Sequence, residues 1–542
     1  MSRARRYWWA VVLVVVVALL APGTARAAGN PVSPYGGLSS SQRASLLAIA
    51  RDTWKFYGAD IDQATGLPMD NITFAGGAAS PTSFGRYTSA ANIGVYLWAV
   101  VAARDLGLVS EPQARSRIQA TLTEVSHLKR DNGFLYQWYD TTNGNVLTNP
   151  GQSDCTETTP AFDNCFFISN VDNGWYASGL IVVRQAMPEL SHLVNSLIAP
   201  MNFGLFYDAR AETHCNVNPA ITGNQPTGQM FGGYYVGLPP DQGDNWTHYY
   251  HNGALYSDPR ISAYIGMGLH QMPGNVWWRS WRELPPPAPF ADCQSTDPDF
   301  SWQGQWPMAG SWQTYTDPQS RQKFPVWEGH YTYPGSDLTF IPTYSGGMFE
   351  GLMPNEIVPE TSWGTRSFGL ADARTAQVQI KYATQQLHDP VWGMSPSSTP
   401  DDTGGYGGYG VEGLAFPYFG TGADASHPNQ GLSQCHGCAT EDVVTPHASF
   451  LALDVAPQQA FANITALRSR YPGVYGADGF FDAVNPTTGA VGHRDLVLDQ
   501  SMIMAALDNA LHDRALQRDF ARDPVSWAAH TYLSMETMSI TG

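Results

Sequence analysis

The sequence predicts an all-α protein in which paired helices form an α/α toroid. Apolar residues recur at helical spacing over long stretches, and between Ser89 and Leu108 they occupy one face at i, i+3, i+4, i+7 and i+8. Strict alternation of apolar and polar residues, which would indicate half-buried strands, is scarce. No linker or fixed-period repeat divides the chain. We therefore expect one large domain over residues 28–542 rather than several small helical domains.

The periodic stretches and the segments between them follow one another regularly along the chain. Helices are predicted over Ser41–Phe56, Ser89–Leu108, Glu111–Leu128, Gly174–Met187, Pro259–Met272, Ala371–Leu387, Thr445–Val455, Pro457–Tyr471, Leu498–His512 and Ala515–Arg522. Segments rich in glycine, proline and aromatic residues are predicted as loops over Asn202–Gly253, Pro285–Ser345 and Ser395–Gln434. Loops of this length in a compact domain usually carry function.

Composition narrows the class of ligand. The chain has 542 residues, of which only 14% are charged, and its net charge is −18. Globular domains usually have about a quarter charged residues. Nucleic acids and other polyanions are bound through clustered lysine and arginine, so they are excluded as expected partners. The 17 Trp, 26 Tyr and 23 Phe favour neutral polar ligands, sugars above all.

Residues 1–27 resemble a secretory signal peptide. A basic stretch containing Arg3, Arg5 and Arg6 precedes an apolar run over Trp8–Ala21, and Ala25–Ala27 forms an A-x-A cleavage site. The apolar run is short for a membrane span, so a transmembrane anchor is the less favoured alternative. We expect cleavage after Ala27 and a soluble, secreted mature chain.

The six cysteines fit an oxidising compartment. Their positions suggest, as one of 15 possible connectivities, the pairs Cys155–Cys165, Cys215–Cys293 and Cys435–Cys438. The Cys-His-Gly-Cys segment that ends at Cys438 could also be half of a zinc site, but no second ligand pair accompanies it. No metal or other cofactor is therefore expected.

Carboxylates surrounded by aromatic residues, Gly and Asn are the main chemical feature of the sequence. They are Asp131, Asp172, Asp258, Glu350, Glu412, Asp482 and Asp499. Glycosidic cleavage needs two carboxyl groups, and aromatic faces both stack on sugars and raise the pKa of a nearby carboxyl group. The motifs G-x-S-x-G, H-E-x-x-H and the P-loop do not occur. Spacing alone does not select the catalytic pair.

Eight or more segments, in order, resemble the glycoamylase-like family, which includes endo-β-1,2-glucanases and the trimming domain of cyclic β-1,2-glucan synthases. They include TSAANIGVYLWAVVAARDLGL, NVDNGWYASGL, LYSDPRISAYIGMGL, YSGGMFEGLMP, WGMS, YGVEGLA, TPHASFLALDVAPQQAF, YGADGFFDAVNPTTG and DQSMIMAALDNAL. The resemblance extends from about residue 40 to residue 512. It implies an (α/α)6 toroid.

The resemblance implies catalytic roles for two residues. Asp482 lies where inverting β-1,2-glucanases place their general base, and Asp258 lies where they carry an acidic general acid, usually Glu. Because Asp is one methylene shorter, Glu350 is the alternative acid. The cyclic-glucan synthase relatives carry Glu where this chain has Pro396, so their retaining transglycosylation is not expected here.

Six further positions are expected to line the substrate site. They are Asp172, Trp175, Glu350, Trp392, Asp499 and Gln500. Helix capping is an alternative role for Asp499 and Gln500, and core packing is the alternative for Trp392. His447 is expected to be structural. Trp277, Trp278 and Trp281 fit either the cleft or the helix packing.

Together these features predict a secreted, monomeric glycoside hydrolase that cleaves a neutral glucan. The favoured activity is that of an endo-β-1,2-glucanase acting with inversion. Two alternatives stay open at this point. One is a hydrolase of another glycan linkage on the same fold, because fold does not determine substrate. The other is a non-catalytic glycan-binding protein of the cell envelope.

Overall fold

A computed structural model describes residues 35–148, 150–151, 154–155, 166–209, 228–236, 252–280, 282, 308–333, 335–343, 346–411 and 442–540. The predicted signal peptide, Glu412, Trp281 and every cysteine except Cys155 lie outside these residues, so the predictions about secretion and disulfide pairing stay predictions. Within the described part of the chain, no helix combines the length and apolar character needed to cross a bilayer.

The described residues are rich in helices, as the periodicity predicts. The α-helices are α1 (Ser40–Asp60), α2 (Ala90–Asp105), α3 (Glu111–His127), α4 (Asn170–Ala186), α5 (Ser191–Ile198), α6 (Arg260–Gly268), α7 (Asn275–Trp278), α8 (Met348–Leu352), α9 (Glu360–Trp363), α10 (Phe368–Lys381), α11 (Pro446–Leu451), α12 (Pro457–Arg470), α13 (Val497–Leu511), α14 (Ala515–Arg522) and α15 (Trp527–Met535). All ten predicted helices are confirmed, with shifted ends. Helices α5, α7, α8, α9 and α15 were not predicted, four of them because they span fewer than nine residues and show little periodicity.

Helix starts follow local sequence chemistry. Ser39 caps α1 and Ser110 caps α3, each in a capping box with a glutamine three residues later (Gln42 and Gln113). Side-chain oxygens here satisfy backbone N–H groups that have no partner within the helix. These signals are local, which is why the sequence predicts these helix starts to within one residue.

Two kinds of helix differ in how much surface they bury. Every residue of α2 from Ala90 to Ala103 is buried, and α4 and α13 are buried along almost their whole length. Helix α3 instead buries one stripe that includes Ala114, Ile118 and Leu122. A helix that is apolar all round lies inside the fold, whereas a striped helix lies at its surface. Helices α2, α4 and α13 are therefore inner helices.

The inner helices contact one another in a defined order. Helix α2 packs on α4 and on α13, α4 packs on α6, and α11 packs on both α8 and α13. Close approach of α2 and α4 depends on glycine, because a Cβ at Gly94 would collide with the Trp175 carbonyl oxygen and one at Gly179 with the Gly94 carbonyl oxygen. Buried apolar residues between Tyr35 and Ile540 form one large cluster around these helices.

Strands are short and occupy the connections. They are Asn71–Thr73, Ser83–Gly85, Tyr87–Thr88, Arg130–Asp131, Phe134–Leu135, Tyr139–Asp140, Phe167–Ser169, Gly233–Tyr235, Met308–Thr316, Lys323–Thr332, Thr339–Phe340, Ser397–Ser398, Tyr406–Gly407, Tyr475–Gly476, Gly479–Phe480, Ala483–Val484, Val491–Gly492 and Arg494–Leu496. All their pairings are antiparallel, with Asn71–Thr73 between Ser83–Gly85 and Arg494–Leu496 in one three-stranded sheet.

One loop prediction was wrong in part. The predicted loop Pro285–Ser345 contains a long antiparallel hairpin, Met308–Thr316 with Lys323–Thr332, in which Trp312 faces Trp327. Pro325 and Gly310 lie inside its strands and are residues that usually argue against a strand. Pairing between the two strands overrides these local preferences.

Candidate active site

Four of the predicted carboxyl groups lie at or just before helix starts, whereas Asp482 lies between the strands Gly479–Phe480 and Ala483–Val484. Asp172, Glu350 and Asp499 occupy the first turns of α4, α8 and α13, and Asp258 directly precedes α6. Backbone N–H groups without helical partners and the positive end of the helix dipole favour carboxylates at such positions. Because α2, α4 and α6 pack side by side, the helix contacts bring several of these residues together.

Asp258, Asp172 and Trp175 form the first group, called here the acid group. The indole N–H of Trp175 donates to Oδ2 of Asp258 at 3.4 Å. Burial raises the pKa of Asp258 to about 6; Asp172 raises it further, whereas the Trp175 hydrogen bond and Arg260 lower it. Burial also raises the pKa of Asp172 to about 6. A carboxyl group with such a pKa can hold a proton near neutral pH and donate it.

Arg260 is a residue that the sequence analysis missed. Its buried guanidinium donates to both carboxylate oxygens of Glu360, each at 2.7 Å, and to the Glu350 carbonyl oxygen at 3.2 Å. These bonds connect the start of α6, next to Asp258, with the start of α8. Arg260 therefore fixes Glu350 relative to the acid group.

Asp482, Asp499 and His447 form the second group, called here the base group. All three side chains are at most 2% exposed. A carboxylate oxygen of Asp482, one of Asp499 and a ring nitrogen of His447 all lie within 4.8 Å of one another. Nδ1 of His447 is 3.3 Å from Oδ2 of Asp499, and the Ser398 N–H donates to Oδ2 of Asp482 at 2.6 Å.

Burial determines the charge state of the base group. It raises the pKa of Asp482 well above the ordinary value, and the nearby Asp499 raises it further. Burial raises the pKa of Asp499 to about 7 and lowers that of His447 to about 4. The imidazole is therefore neutral at neutral pH, and the two carboxyl groups lack a neutralising cation in direct contact among the described residues.

Tyr406 lies near enough to both the base group and Glu350 for their charges to act on its hydroxyl group. Half of the Tyr406 side chain is exposed, and its hydroxyl lies in the combined field of Asp499, Asp482, Asp70 and Glu350. Asp70 was not predicted as a site residue; it accepts hydrogen bonds from Asn92 and Asn71, each at 2.9 Å. Carboxyl groups from four separate parts of the chain thus act electrostatically on one hydroxyl group.

Other predicted residues lie deeper than a binding surface requires. Trp392 is 5% exposed and belongs to the main core cluster. The Gln500 amide donates to the Phe480 carbonyl oxygen at 2.8 Å. Trp277 and Trp278 are fully buried between helices, where their indole N–H groups donate to Glu536 and Asp317. Trp277 and Trp278 therefore have a packing role, and the binding roles of Trp392 and Gln500 stay predictions.

Metal ligation fits the base group poorly. Thr445 Oγ1 donates to the Asp482 carbonyl oxygen at 2.7 Å, so it accepts from Nδ1 of His447 at 2.9 Å. The nitrogen that faces Asp499 therefore carries hydrogen and offers no lone pair. Elsewhere in the described part of the chain, Asp105, Asp508 and His512 place three ligand-type atoms within 4.8 Å at the C-terminal ends of α2 and α13.

Comparison with protein families confirms the predicted resemblance. Residues 313–524 match the Glycoamylase family model, described as "Putative glucoamylase", and residues 48–205 match DUF3131, a protein family of unknown function. A 201-residue stretch, 36% of this chain, is 30% identical to the cyclic β-(1,2)-glucan synthase NdvB of Rhizobium meliloti. That match spans 6% of the relative's length.

Solved structures show which fold the chain shares. The endo-β-1,2-glucanase of Chitinophaga pinensis, in complex with sophorotriose and glucose, is 14% identical, with a TM-score of 0.59, and the match covers 92% of this chain and 98% of that protein. The endo-β-1,2-glucanase of Talaromyces funiculosus, in complex with sophorose, is 12% identical, with a TM-score of 0.58 and 92% of each chain covered. Nearly the whole chain therefore has the fold of these proteins.

Proposed function

We propose that this protein is a glycoside hydrolase that cleaves a neutral β-1,2-glucan internally and inverts the anomeric configuration. The observation that carries the proposal is the division of buried carboxyl groups into an acid group, beside the starts of α4 and α6, and a base group, in which Asp482 meets the start of α13. A proton donor and a proton acceptor on opposite faces of a sugar are what inverting glycoside hydrolysis needs. The fold shared with endo-β-1,2-glucanases and the family match support the choice of substrate.

Asp258 is the proposed general acid. Its carboxyl group holds a proton near pH 6, because burial in the acid group disfavours the charged form. In the reaction Asp258 donates this proton to the glycosidic oxygen as the bond to C1 breaks. Glu350 is the alternative donor, since Arg260 holds its backbone beside the same helix start.

Asp482 is the proposed general base. It takes a proton from the water that attacks C1 on the face opposite the leaving group, directly or through a relay. Inverting enzymes usually separate the two carboxyl groups by roughly 6.5–9.5 Å to admit this water. Asp172, Trp175, Asp499 and Glu350 complete the proposed lining.

The proposed architecture is one (α/α)6 toroid over residues 28–542. Contacts between α2 and α4, α4 and α6, α8 and α11, α11 and α13, and α13 and α2 support it. The Arg260 hydrogen bonds to the carbonyl oxygens of Glu350 and Gly351 join α6 to α8 and support the same arrangement.

The deciding experiment is incubation of the purified protein with linear β-1,2-glucan. We expect sophorose-series oligosaccharides, and proton NMR during the reaction should show the inverted anomer first. Asp258→Asn and Asp482→Asn should each lower kcat about 10²- to 10⁴-fold. Asp337→Asn is the matched control, because Asp337 is exposed and lies outside both groups.

Three results would overturn the proposal, each in a different way. Cleavage of another glucan but not of β-1,2-glucan would replace the substrate and keep the enzyme class. Binding of oligosaccharides without hydrolysis of any glycan in a broad panel would indicate a glycan-binding protein. Full activity in both carboxyl variants would remove these residues from catalysis.

Secretion is also proposed, with removal of residues 1–27. The basic, apolar and A-x-A segments at the N-terminus support it. Expression of the full chain should yield a culture-medium protein whose first residue is Ala28. Retention of the full chain inside the cell would contradict the proposal.

A further inference from the structure

Two carboxyl groups of the base group lie together without enough hydrogen-bond donors. Oδ1 of Asp482 and both carboxylate oxygens of Asp499 are buried and accept no hydrogen bond from the residues the structure describes. A carboxylate oxygen of Asp482 lies within 4.8 Å of one of Asp499, and the pKa of each group depends on the other group. Two buried carboxylates at this range repel strongly if both are ionised, so a proton between them resolves the contact.

We propose that Asp482 and Asp499 share one proton and act together as the base, with the Nδ1–H dipole of His447 orienting Asp499 across a 3.3 Å electrostatic contact. This inference rests on the proposed function, and it gives Asp499 a role through Asp482 in addition to its proposed place in the substrate lining. Asp499 is in this sense a positioning residue. The Ser398 N–H bond to Oδ2 of Asp482 leaves Oδ1 of that group available for the shared proton.

The hydrogen bonds around His447 determine which ring nitrogen carries hydrogen. Thr445 has one hydroxyl proton, and it is donated to the Asp482 carbonyl oxygen. Nδ1 of His447 must therefore donate to Thr445, and the same N–H lies 3.3 Å from Oδ2 of Asp499. Thr445 and His447 thus connect the main chain of Asp482 to the side chain of Asp499.

Surrounding charges keep the pair at one negative charge. Asp70 raises the pKa of Asp499, whereas Arg494 lowers it, and the neutral His447 adds no full charge. Asp495 also acts on Asp482 electrostatically, and burial raises the pKa of Asp495 well above the ordinary value, which disfavours its charged form. Tyr406 contributes a neutral hydroxyl group.

The proton balance of the proposed reaction is complete. The pair begins with one proton and one negative charge. Water forms a bond to C1 and gives one proton to the pair, which becomes neutral with two protons, while Asp258 gives its proton to the leaving oxygen. The pair then releases one proton to solvent, and Asp258 takes one up. A base whose conjugate acid has a pKa near 7 suits catalysis near neutral pH.

Infrared difference spectroscopy of the full-length protein at about pH 8 tests the shared proton without substrate, since a protonated carboxyl group absorbs apart from a carboxylate. We expect Asp482→Asn and Asp499→Asn each to remove the same single protonated-carboxyl band. The double variant should remove no more than either single variant. Asp337→Asn should leave this band unchanged.

Other spectra would overturn the inference. Loss of two bands in the double variant would mean two independently protonated groups, and loss of none would mean that both groups are ionised. Because no substrate is used, these results stand whether or not the protein cleaves β-1,2-glucan. If the wild-type protein cleaves β-1,2-glucan but the variants do not change the protonated-carboxyl band as expected, only the shared proton is refuted.

Variants of His447 provide a second readout. His447→Asn keeps an N–H donor near the Nδ1 position, whereas His447→Leu removes it. We expect His447→Asn to retain kcat within a few-fold and to keep the band, and His447→Leu to lose at least tenfold in kcat and to shift the band. Equal behaviour of the two variants would remove His447 from the role.

Discussion

The indole N–H of Trp175 donates to Oδ2 of Asp258 at 3.4 Å, across the contact between α4 and the start of α6. The Trp175 side chain is 2% exposed and packs edge-on against Trp98, with 5.4 Å between ring centroids. In this geometry the Trp175 indole supports the Asp258 carboxyl group from within the core. A single substitution at Trp175 should therefore change the proton affinity of Asp258.

Replacing Trp175 by Phe should raise the pKa of Asp258, because the indole bond favours the ionised carboxylate. The acid would then stay protonated to higher pH, so kcat/KM at about pH 8 should increase relative to its value at about pH 6. A hydrogen bond to a charged group is worth roughly 1.5–3 kcal/mol, and the 3.4 Å distance puts this bond at the weak end, so we expect the pKa to shift by about one unit. The pH profile of kcat/KM on β-1,2-glucan measures it.

Trp98→Phe is the matched control for that variant. Trp98 packs on Trp175, and its own indole N–H has no hydrogen-bond partner among the described residues. The control removes a similar volume from the same place without touching Asp258. A profile displaced equally in both variants would point to altered packing and would refute the role of the hydrogen bond.

Asp172→Asn should displace the profile in the opposite direction. The negative charge of Asp172 raises the pKa of Asp258, so the amide should lower it. Asp258 would then lose its proton at lower pH, and kcat/KM at about pH 8 should fall relative to that at about pH 6. A displacement toward higher pH would show that Asp172 does not act on Asp258 through charge. Asp337→Asn should leave the profile unchanged.

Removal of the Arg260 guanidinium should destabilise the fold strongly. In Arg260→Met, the Glu360 carboxylate would stay buried with one remaining donor, the Tyr264 hydroxyl at 2.6 Å. Loss of one partner of a buried ion pair costs about 3–5 kcal/mol. Urea denaturation should show this loss in the free energy of unfolding.

The double variant Arg260→Met with Glu360→Gln tests the same pair. It removes both charges, so its loss of unfolding free energy should be smaller than the sum of the two single losses. Additive losses would contradict a direct interaction between the two side chains.

Gly94→Ala should weaken the contact between α2 and α4. The new Cβ would collide with the Trp175 carbonyl oxygen, which belongs to helix backbone and cannot move alone. Overpacking of this kind costs about 1–3 kcal/mol, to be measured as a lower urea midpoint. The control is Gly58→Ala in α1, where a Cβ meets nothing within 4 Å. That substitution should stabilise by roughly 0.5–1 kcal/mol, and equal effects of the two would contradict the contact.

Much of the fold could be predicted because its signals are local. The spacing of apolar residues in α2 and the capping boxes of α1 and α3 lie within a few residues of one another. The hairpin Met308–Thr316 with Lys323–Thr332 could not be predicted, since its strands gain stability only by pairing with each other. Helices α8 and α9 are too short to show a period.

In the candidate site too, local sequence predicts some features and only the tertiary structure decides the others. The sequence marks Asp172, Trp175 and Asp258 as carboxylates and an aromatic residue in segments rich in aromatic residues, Gly and Asn. Their contact with one another depends on the packing of α4 on α6. His447 was expected to be structural, because nothing in its neighbourhood along the chain points to Asp499. Only the folded structure shows that His447 lies next to Asp499.

The sequence by itself determined where the inner helices form and which carboxyl groups stand at their N-terminal ends. Helical period and capping depend on neighbours a few residues apart, so they are readable from the chain. Only the tertiary structure decided which charged groups meet. Asp482, between two short strands, meets Asp499 at the start of α13, and helix packing brings Arg260 to Glu360, 100 residues away. Burial in that packing raises the pKa of Asp258 and Asp482, and no local pattern contains that information.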